Sequence, residues 1–286
     1  MKSLLLHPLT LRGLHAMALL RAFLRYHNPR RQHVGREHAA FHERLWHEAA
    51  DDVGASCEVL GSGIVELEFG GVRTRVFENV TEIDGPVTLA VLHNKPLTHR
   101  ILAGAGLPVP RHACFTLKRV EPAVRFLDSL GGDAVVKPAA GTGGGRGVTT
   151  GVQTRSHLAR AAAHAAVYCD ELMIEQQFTG ENYRLLYLDG ELVDAFLRKA
   201  PSVIADGRST VAQLVHRANE ERERVGVGQS QTLLTLDLDM KRTLARQGLS
   251  LRSVPPAGTV VMLKTVVNEN RGAENVTVMD LSLIHI

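Results

Sequence analysis

Val135-Val136-Lys137-Pro138-Ala139-Ala140-Gly141-Thr142-Gly143-Gly144-Gly145-Arg146-Gly147-Val148 is the run on which the fold turns. It opens as an apolar strand, crosses a loop holding Gly141, Gly143, Gly144, Gly145 and Gly147, and resumes as a strand over 148–152. No Lys-Ser/Thr closes the glycines and no helix follows, so this is not a Walker-type phosphate loop. It also lacks the dinucleotide fingerprint, because Arg146 stands three residues after Gly143 where a glycine is needed. What remains is strand, glycine loop, strand, with Lys137 ending the first strand. Glycine lets a chain approach closely and adopt positive φ, so such a loop can lay backbone N–H groups over phosphates while the lysine supplies a point charge. A surface loop without a ligand would carry the same glycines, and the loop alone does not separate the two.

The flanking sequence alternates helix and strand. A helix from Asn94-Lys95 runs to Gly104-Ala105-Gly106, followed by Leu107-Pro108-Val109-Pro110, with Gly and then Pro as stop signals. Next come a strand around Cys114–Leu117, a helix over 121–130, the strand Asp133–Pro138, the glycine loop, and a helix over 155–167. The strand Leu172-Met173-Ile174-Glu175 leads to a hairpin, Tyr183–Leu188 against Glu191–Phe196, turned by Asp189-Gly190. Upstream, residues 37–53 hold Ala40, Phe41, Leu45, Ala49 and Val53 near a 3.6 period, an amphipathic helix with Trp46 as a core anchor. Val65–Phe69 and Val72–Phe77 alternate about Gly70-Gly71 as a hairpin, and the apolar run Val87–Leu92 reads as a buried strand. The class is α/β (α+β), with substantial antiparallel pairing. Three segments follow: a basic arm (1–36), a small α/β domain (37–92) and a larger domain (93–286).

At 286 residues the chain is long enough for about two domains with real cores, and 44% hydrophobic with 22% charged residues is ordinary for a globular protein. No run reaches the roughly 18 apolar residues of a membrane span; Leu14–Leu24 is broken by His15 and Arg21. Cys57, Cys114 and Cys169 are few, far apart and form no CxxC pair, which points to a reducing cytoplasm and not to a disulfide framework. The arm carries Lys2, Arg12, Arg21, Arg25, Arg30, Arg31 and Arg36 without an acid, yet without aromatic stacking groups, so it reads as a solvated or partner-docking helix and not as a nucleic-acid surface. The N-x-T triplets at Asn79 and Asn275 are chance matches in this setting. The 14 histidines form no coherent metal set; His38 and His42 lack the His-Glu-x-x-His pattern.

The order of motifs is more specific than any one of them. Lys137 in Val-Val-Lys-Pro, the glycine loop, Met173-Ile174-Glu175-Gln176-Gln177-Phe178-Thr179-Gly180 and Tyr183-Arg184-Leu185-Leu186 resemble the ATP-grasp superfamily. Arg198, Pro201, Asp206-Gly207-Arg208-Ser209-Thr210, Leu244–Gly248 and Ser253–Gly258 resemble the ATP-grasp region of cyanophycin synthetase and related amino-acid ligases, N-acetylglutaminylglutamine synthetase among them. The resemblance covers residues 94–278 and implies an ATP-grasp fold behind a small N-terminal α/β domain. It implies that Lys137 holds ATP phosphates, that Gly143, Gly144, Gly145 and Gly147 form the lid backbone, and that Glu175, Gln177 and Phe178 lie along the adenine linker. Arg184 and Arg198 would face the γ-phosphate or a substrate carboxylate, since a guanidinium forks onto either.

Two positions depart from the family pattern. His99 stands where many members place a first phosphate lysine, with Lys95 one turn before it, and a neutral imidazole offers less charge. Asn182 stands at the ribose-binding acid beside Glu181, and an amide is a weaker acceptor than a carboxylate. The family's Mg²⁺ ligands, carboxylates with a Glu-x-Asn pair, belong beyond the position of Val278, so the resemblance implies metal ligands past Ile286 and a domain incomplete at its C-terminal end. Glu274 and Asp280 match no ligand position, and Leu281–Ile286 does not continue the pattern. The implied activity is an ATP-dependent carboxylate–amine ligase acting on amino acids or short peptides with ATP and Mg²⁺. No membrane or nucleic-acid partner is expected, and the oligomeric state is open. The rivals are a nucleotide-binding module without ligase activity and an ATP-grasp kinase for a small acceptor.

Overall fold

The computed structural model describes residues 7–26, 29–225, 233–268 and 272–278. The chain divides into two compact units, Ala16–Pro108 and Met1–His15 with Val109–Ile286. Asp280 and the Leu281–Ile286 tail lie outside the described residues.

Helix α1 (Pro8–Tyr26) and helix α2 (Pro29–Val53) open the chain. In the smaller unit, β1 (Ser56–Gly61), β2 (Ile64–Phe69), β3 (Val72–Phe77) and β4 (Val80–Thr81) form one antiparallel sheet in sequence order. The β2–β3 hairpin turns on Gly70-Gly71 as read, bringing Phe69 opposite Val72. Val65, Val76 and Ala50 are buried here, and Trp46 Nε1 donates to the Glu78 carbonyl at 2.8 Å. The apolar run expected as a buried strand is instead helix α3 (Pro86–Leu92), none of whose residues is buried. Its period was undecidable over so few residues, but Pro86 behind Gly85 is a helix start, because proline at the first turn loses no hydrogen bond. Helix α4 (Lys95–Gly104) is capped by Asn94, whose Oδ1 accepts from Leu97 N at 3.1 Å.

The larger unit is built on β5 (His112–Phe115), helix α5 (Glu121–Leu130), β6 (Ala134–Pro138), β7 (Thr149–Val152), helix α6 (Arg155–Ala165) and β8 (Leu172–Gln176). The strands make an antiparallel sheet in the order β5-β8-β6-β7. Alternation sorts its faces: Ala134, Val136, Leu172, Ile174 and Phe115 are buried with Ala123 and Leu127 of α5 and Leu158, Ala161, Ala162 and Ala165 of α6. The alanines of α6 let it lie close to the strands, and burial of such apolar area stabilises by roughly 25 cal/mol per Å². Leu11 of α1 is 1% exposed in this same core and Leu14 packs on it. The start of the arm is therefore a core element, a correction to its reading as a solvated or partner-docking helix; Leu11 and Leu14 are spaced i,i+3 on one face.

Strands β9 (Asn182–Leu188), β10 (Glu191–Lys199) and β13 (Glu274–Thr277) form a second antiparallel sheet, ordered β13-β10-β9. Between β10 and β13 the chain builds β11 (Ser202–Ile204), helix α7 (Val211–Val225), helix α8 (Leu238–Arg246) and β12 (Val260–Met262). These enclose a second core of Val211, Leu214, Val215, Met240, Leu244, Val261 and Leu263.

Candidate functional site

On β6 the residues that do not enter the core, Val135 and Lys137, face the opposite side of the sheet. The register pairs Val135 with Glu175 and Lys137 with Met173, so Lys137 and Glu175 are diagonal neighbours on that face. Lys137 Nζ donates to Glu175 Oε1 at 2.6 Å, with side chains only 16% and 11% exposed. A mostly desolvated ion pair of this kind contributes little net stability, but loss of one partner leaves a charge stranded.

The glycine loop leaves β6 directly beyond Lys137. Its middle is open: Gly141, Gly143 and Arg146 are exposed, and nothing lies within 4 Å of a Cβ built on Gly143. Two tight turns shape it, Arg146 N donating to Gly143 O at 3.2 Å and Val148 N to Gly145 O at 3.4 Å. Gly144 and Gly145 both have positive φ. Gly147 differs: it is buried at φ +74°, and an added Cβ would lie 2.7 Å from Pro138 Cγ and 2.9 Å from Tyr168 Cδ2. It forms the packed base of the loop.

Gln177 and Phe178 follow β8. Gln177 Oε1 accepts from Gly151 N at 2.7 Å, and its own N–H donates to Asp133 O at 2.9 Å, so this residue ties β7 to the segment after β8. Phe178 is 63% exposed and its ring is open to a flat partner.

The second sheet gathers the other predicted residues. Arg198 lies opposite Asn182 and Phe196 opposite Arg184, which puts all four side chains on one face. Arg198 Nε donates to Asn275 Oδ1 at 2.9 Å, and its guanidinium lies 5.3 Å from the centre of the Phe196 ring. Arg184 is exposed. The Oδ1 of Asn182 is buried and has no hydrogen-bond partner among the described residues. Asn275, read from the sequence as a chance triplet, thus orients Arg198; a contact across 77 residues leaves no local signal. His99 is half-buried on α4, in the smaller unit, one turn after Lys95, whereas Lys137, Glu175, Arg184 and Arg198 all lie in the larger one.

The Asp206–Thr210 motif is structural. Asp206 accepts from Arg208 N at 3.0 Å, from Ser209 N and Oγ, and from Arg217 at 2.7 Å, and Arg217 and these donors hold its carboxyl well below the usual range. Lys264, fully buried, donates to Asp237 Oδ2 and Thr235 Oγ1, each at 2.9 Å. Among the described residues there is no group of three or more His, Cys, Asp or Glu that could hold a metal ion. No described helix is long and apolar enough to cross a membrane.

No family model matches the chain. Among curated proteins it is similar to cyanophycin synthetase of Nostoc sp., 32% identical over 212 residues covering 73% of this chain and 23% of that protein. It is also similar to the glutathione biosynthesis bifunctional protein GshAB of Mannheimia succiniciproducens, 31% identical over 235 residues, 79% of this chain and 31% of that protein. Among solved structures, the bifunctional glutathione synthetase of Pasteurella multocida matches at 27% identity and a TM-score of 0.45, over 79% of this chain and 31% of that one. The chain thus spans less than a third of the length of such relatives, 23% and 31% of the two named. It resembles the ATP-grasp amino-acid ligases, as its motif order implies.

Proposed function

We propose that this chain carries the nucleotide-binding part of an ATP-dependent carboxylate–amine ligase that joins amino acids or short peptides. The observation that carries the reading is the placement of Lys137, on the sheet face turned away from the helices, held by Glu175 beside an exposed glycine loop. Lys137 would hold ATP phosphates with Glu175 orienting its ammonium, and the N–H groups around Gly143, Gly144 and Gly145 would cover them. Gly147 would anchor the loop. Phe178 would lie on the purine, with Glu175 and Gln177 bordering it. Asn182, with a buried oxygen to satisfy, would take a ribose hydroxyl. Arg184 and Arg198 would neutralise the transferring phosphoryl group or a substrate carboxylate.

The reaction these groups suit is a two-step exchange. A substrate carboxylate oxygen bonds to the γ-phosphorus as ADP leaves, giving an acyl phosphate. An amine then bonds to the acyl carbon, phosphate leaves, and the amine proton passes to solvent. Rate would come from positioning and charge neutralisation. Mg²⁺, when bound to the nucleotide, supplies further neutralisation of the phosphates. Three unpaired cysteines, Cys57, Cys114 and Cys169, are in keeping with a cytoplasmic enzyme. Release of ADP over a panel of acids and amines tests the reading. Release that needs both an acid and an amine supports a ligase, release with a hydroxyl acceptor alone a kinase, and binding without turnover a nucleotide-binding module.

A further inference from the structure

We infer that His157 and Arg160 on α6, together with Arg242 and Arg246 on α8, form a binding site for a small oxyanion, a phosphoryl or carboxylate group, beside Gly151. His157 and Arg160 are spaced i,i+3 and Arg242 and Arg246 i,i+4, so each pair shares a helix face. The pairs converge on β7. The His157 ring lies beside the Gly151 backbone. Arg246 Nη1 lies 1.8 Å from where a Cβ of Gly151 would stand, a place only glycine leaves vacant. Arg242 lies within charge reach of both Arg160 and Arg246, and His157 within reach of all three arginines.

Among the described residues, one acid, Asp239, acts on this group of four cationic or ionisable side chains. Arg160 donates to Ser156 O and Oγ, and Arg246 to the hydroxyls of Thr243 and Thr265. Arg242 is half-buried and makes no hydrogen bond to any described residue. The acid that acts on it is Asp239, whose carboxylate already accepts from Thr265 Oγ1 at 3.0 Å and Val266 N at 3.3 Å. Burial first, then the Arg160 charge, hold the Arg242 guanidinium below its ordinary value; burial, Arg160 and Arg242 do the same to His157. Cations gathered and partly desolvated with too little counter-charge repel one another, and an anion in their midst adds an attraction to each of them. The group sits at β7, the edge strand of the sheet, whereas Lys137 lies on β6 paired with Glu175 of β8.

Calorimetric titration of the whole chain with inorganic phosphate, and separately with citrate, at constant ionic strength tests this. The titrations are run with and without a saturating non-hydrolysable ATP analogue. Saturable binding that persists beside the nucleotide and weakens at least tenfold in R160Q/R242Q is expected, and saturation by one anion alone identifies the head group as phosphoryl or carboxylate. Without anion, the double variant should melt above the parent because the repulsion is gone. If it does not fold, the surface substitution R160Q alone should weaken binding at least threefold. No saturable binding of either anion, or equal affinity in parent and variant, overturns the site.

Discussion

Lys137 and Glu175 show how one pair can serve both fold and ligand. With side chains 16% and 11% exposed, neither charge is well hydrated if its partner goes. Lys137→Met is expected to cost about 3–5 kcal/mol of stability, and the double change Lys137→Met/Glu175→Leu to restore most of it, since a well-packed apolar pair replaces a desolvated ionic one at little net cost. Urea unfolding of the three chains checks this; equal losses in single and double variants would contradict it. Asp237 makes a second residue-scale case. Burial alone would raise its pKa, but donation from Lys264, Met240 N–H and Thr235 together outweighs it and the net displacement is downward. Its stabilising contribution is therefore complete above the unfolded-state value of about 3.9 and is lost as pH falls through the lower folded-state value. Stability should decline from about pH 4 downward, with a shallower acid slope in Asp237→Asn, as read from denaturation midpoints at a series of pH values. Lys137 was legible because an apolar strand ending in lysine before glycines is local; the Asp237–Lys264 pair joins residues 27 apart in a fold not visible from either.

At the scale of elements, the glycine loop divides into an open middle and a packed base. Gly147→Ala places a methyl group within 2.9 Å of both Pro138 and Tyr168 at φ +74°, and should destabilise the chain by about 1–3 kcal/mol. Gly143→Ala, with open space around it, should change stability by less than about 0.5 kcal/mol. Thermal unfolding of both variants separates the two roles. Hydrogen exchange over 139–147 should slow on adding an ATP analogue, most at residues 141–146 and least at the buried Gly147, because the middle has little packing of its own. Unchanged exchange at saturation would make the loop a structural hairpin. Many elements were readable here because starts, stops and turns agreed: Asn94-Lys95 opening α4, Gly104-Ala105-Gly106 closing it, Asp189-Gly190 between β9 and β10. Helix α3 was not, since seven mostly apolar residues carry no decisive period.

Over the whole molecule, the motifs that make the resemblance specific do unequal work. Lys137, Glu175 and the glycine loop border one sheet, and Tyr183-Arg184 lies on the second. Those between Asp206 and Gly258 chiefly make turns and a second core, as when Gly258 N donates to Ala205 O at 2.8 Å and Val211 N to Ser253 O at 3.0 Å. A sequence pattern marks both kinds alike, because turn geometry and ligand contact constrain residue type equally well; separating them required the register of the strands. The central claim is that Lys137 and its loop bind ATP, and it is tested most directly by calorimetric titration of a non-hydrolysable ATP analogue with Mg²⁺ into the parent chain, Lys137→Ala and Lys95→Ala. Saturable binding that falls at least tenfold, about 1.4 kcal/mol, in Lys137→Ala and much less in Lys95→Ala is the predicted result; absence of saturable binding in the parent, or equal losses in the two variants, would contradict it.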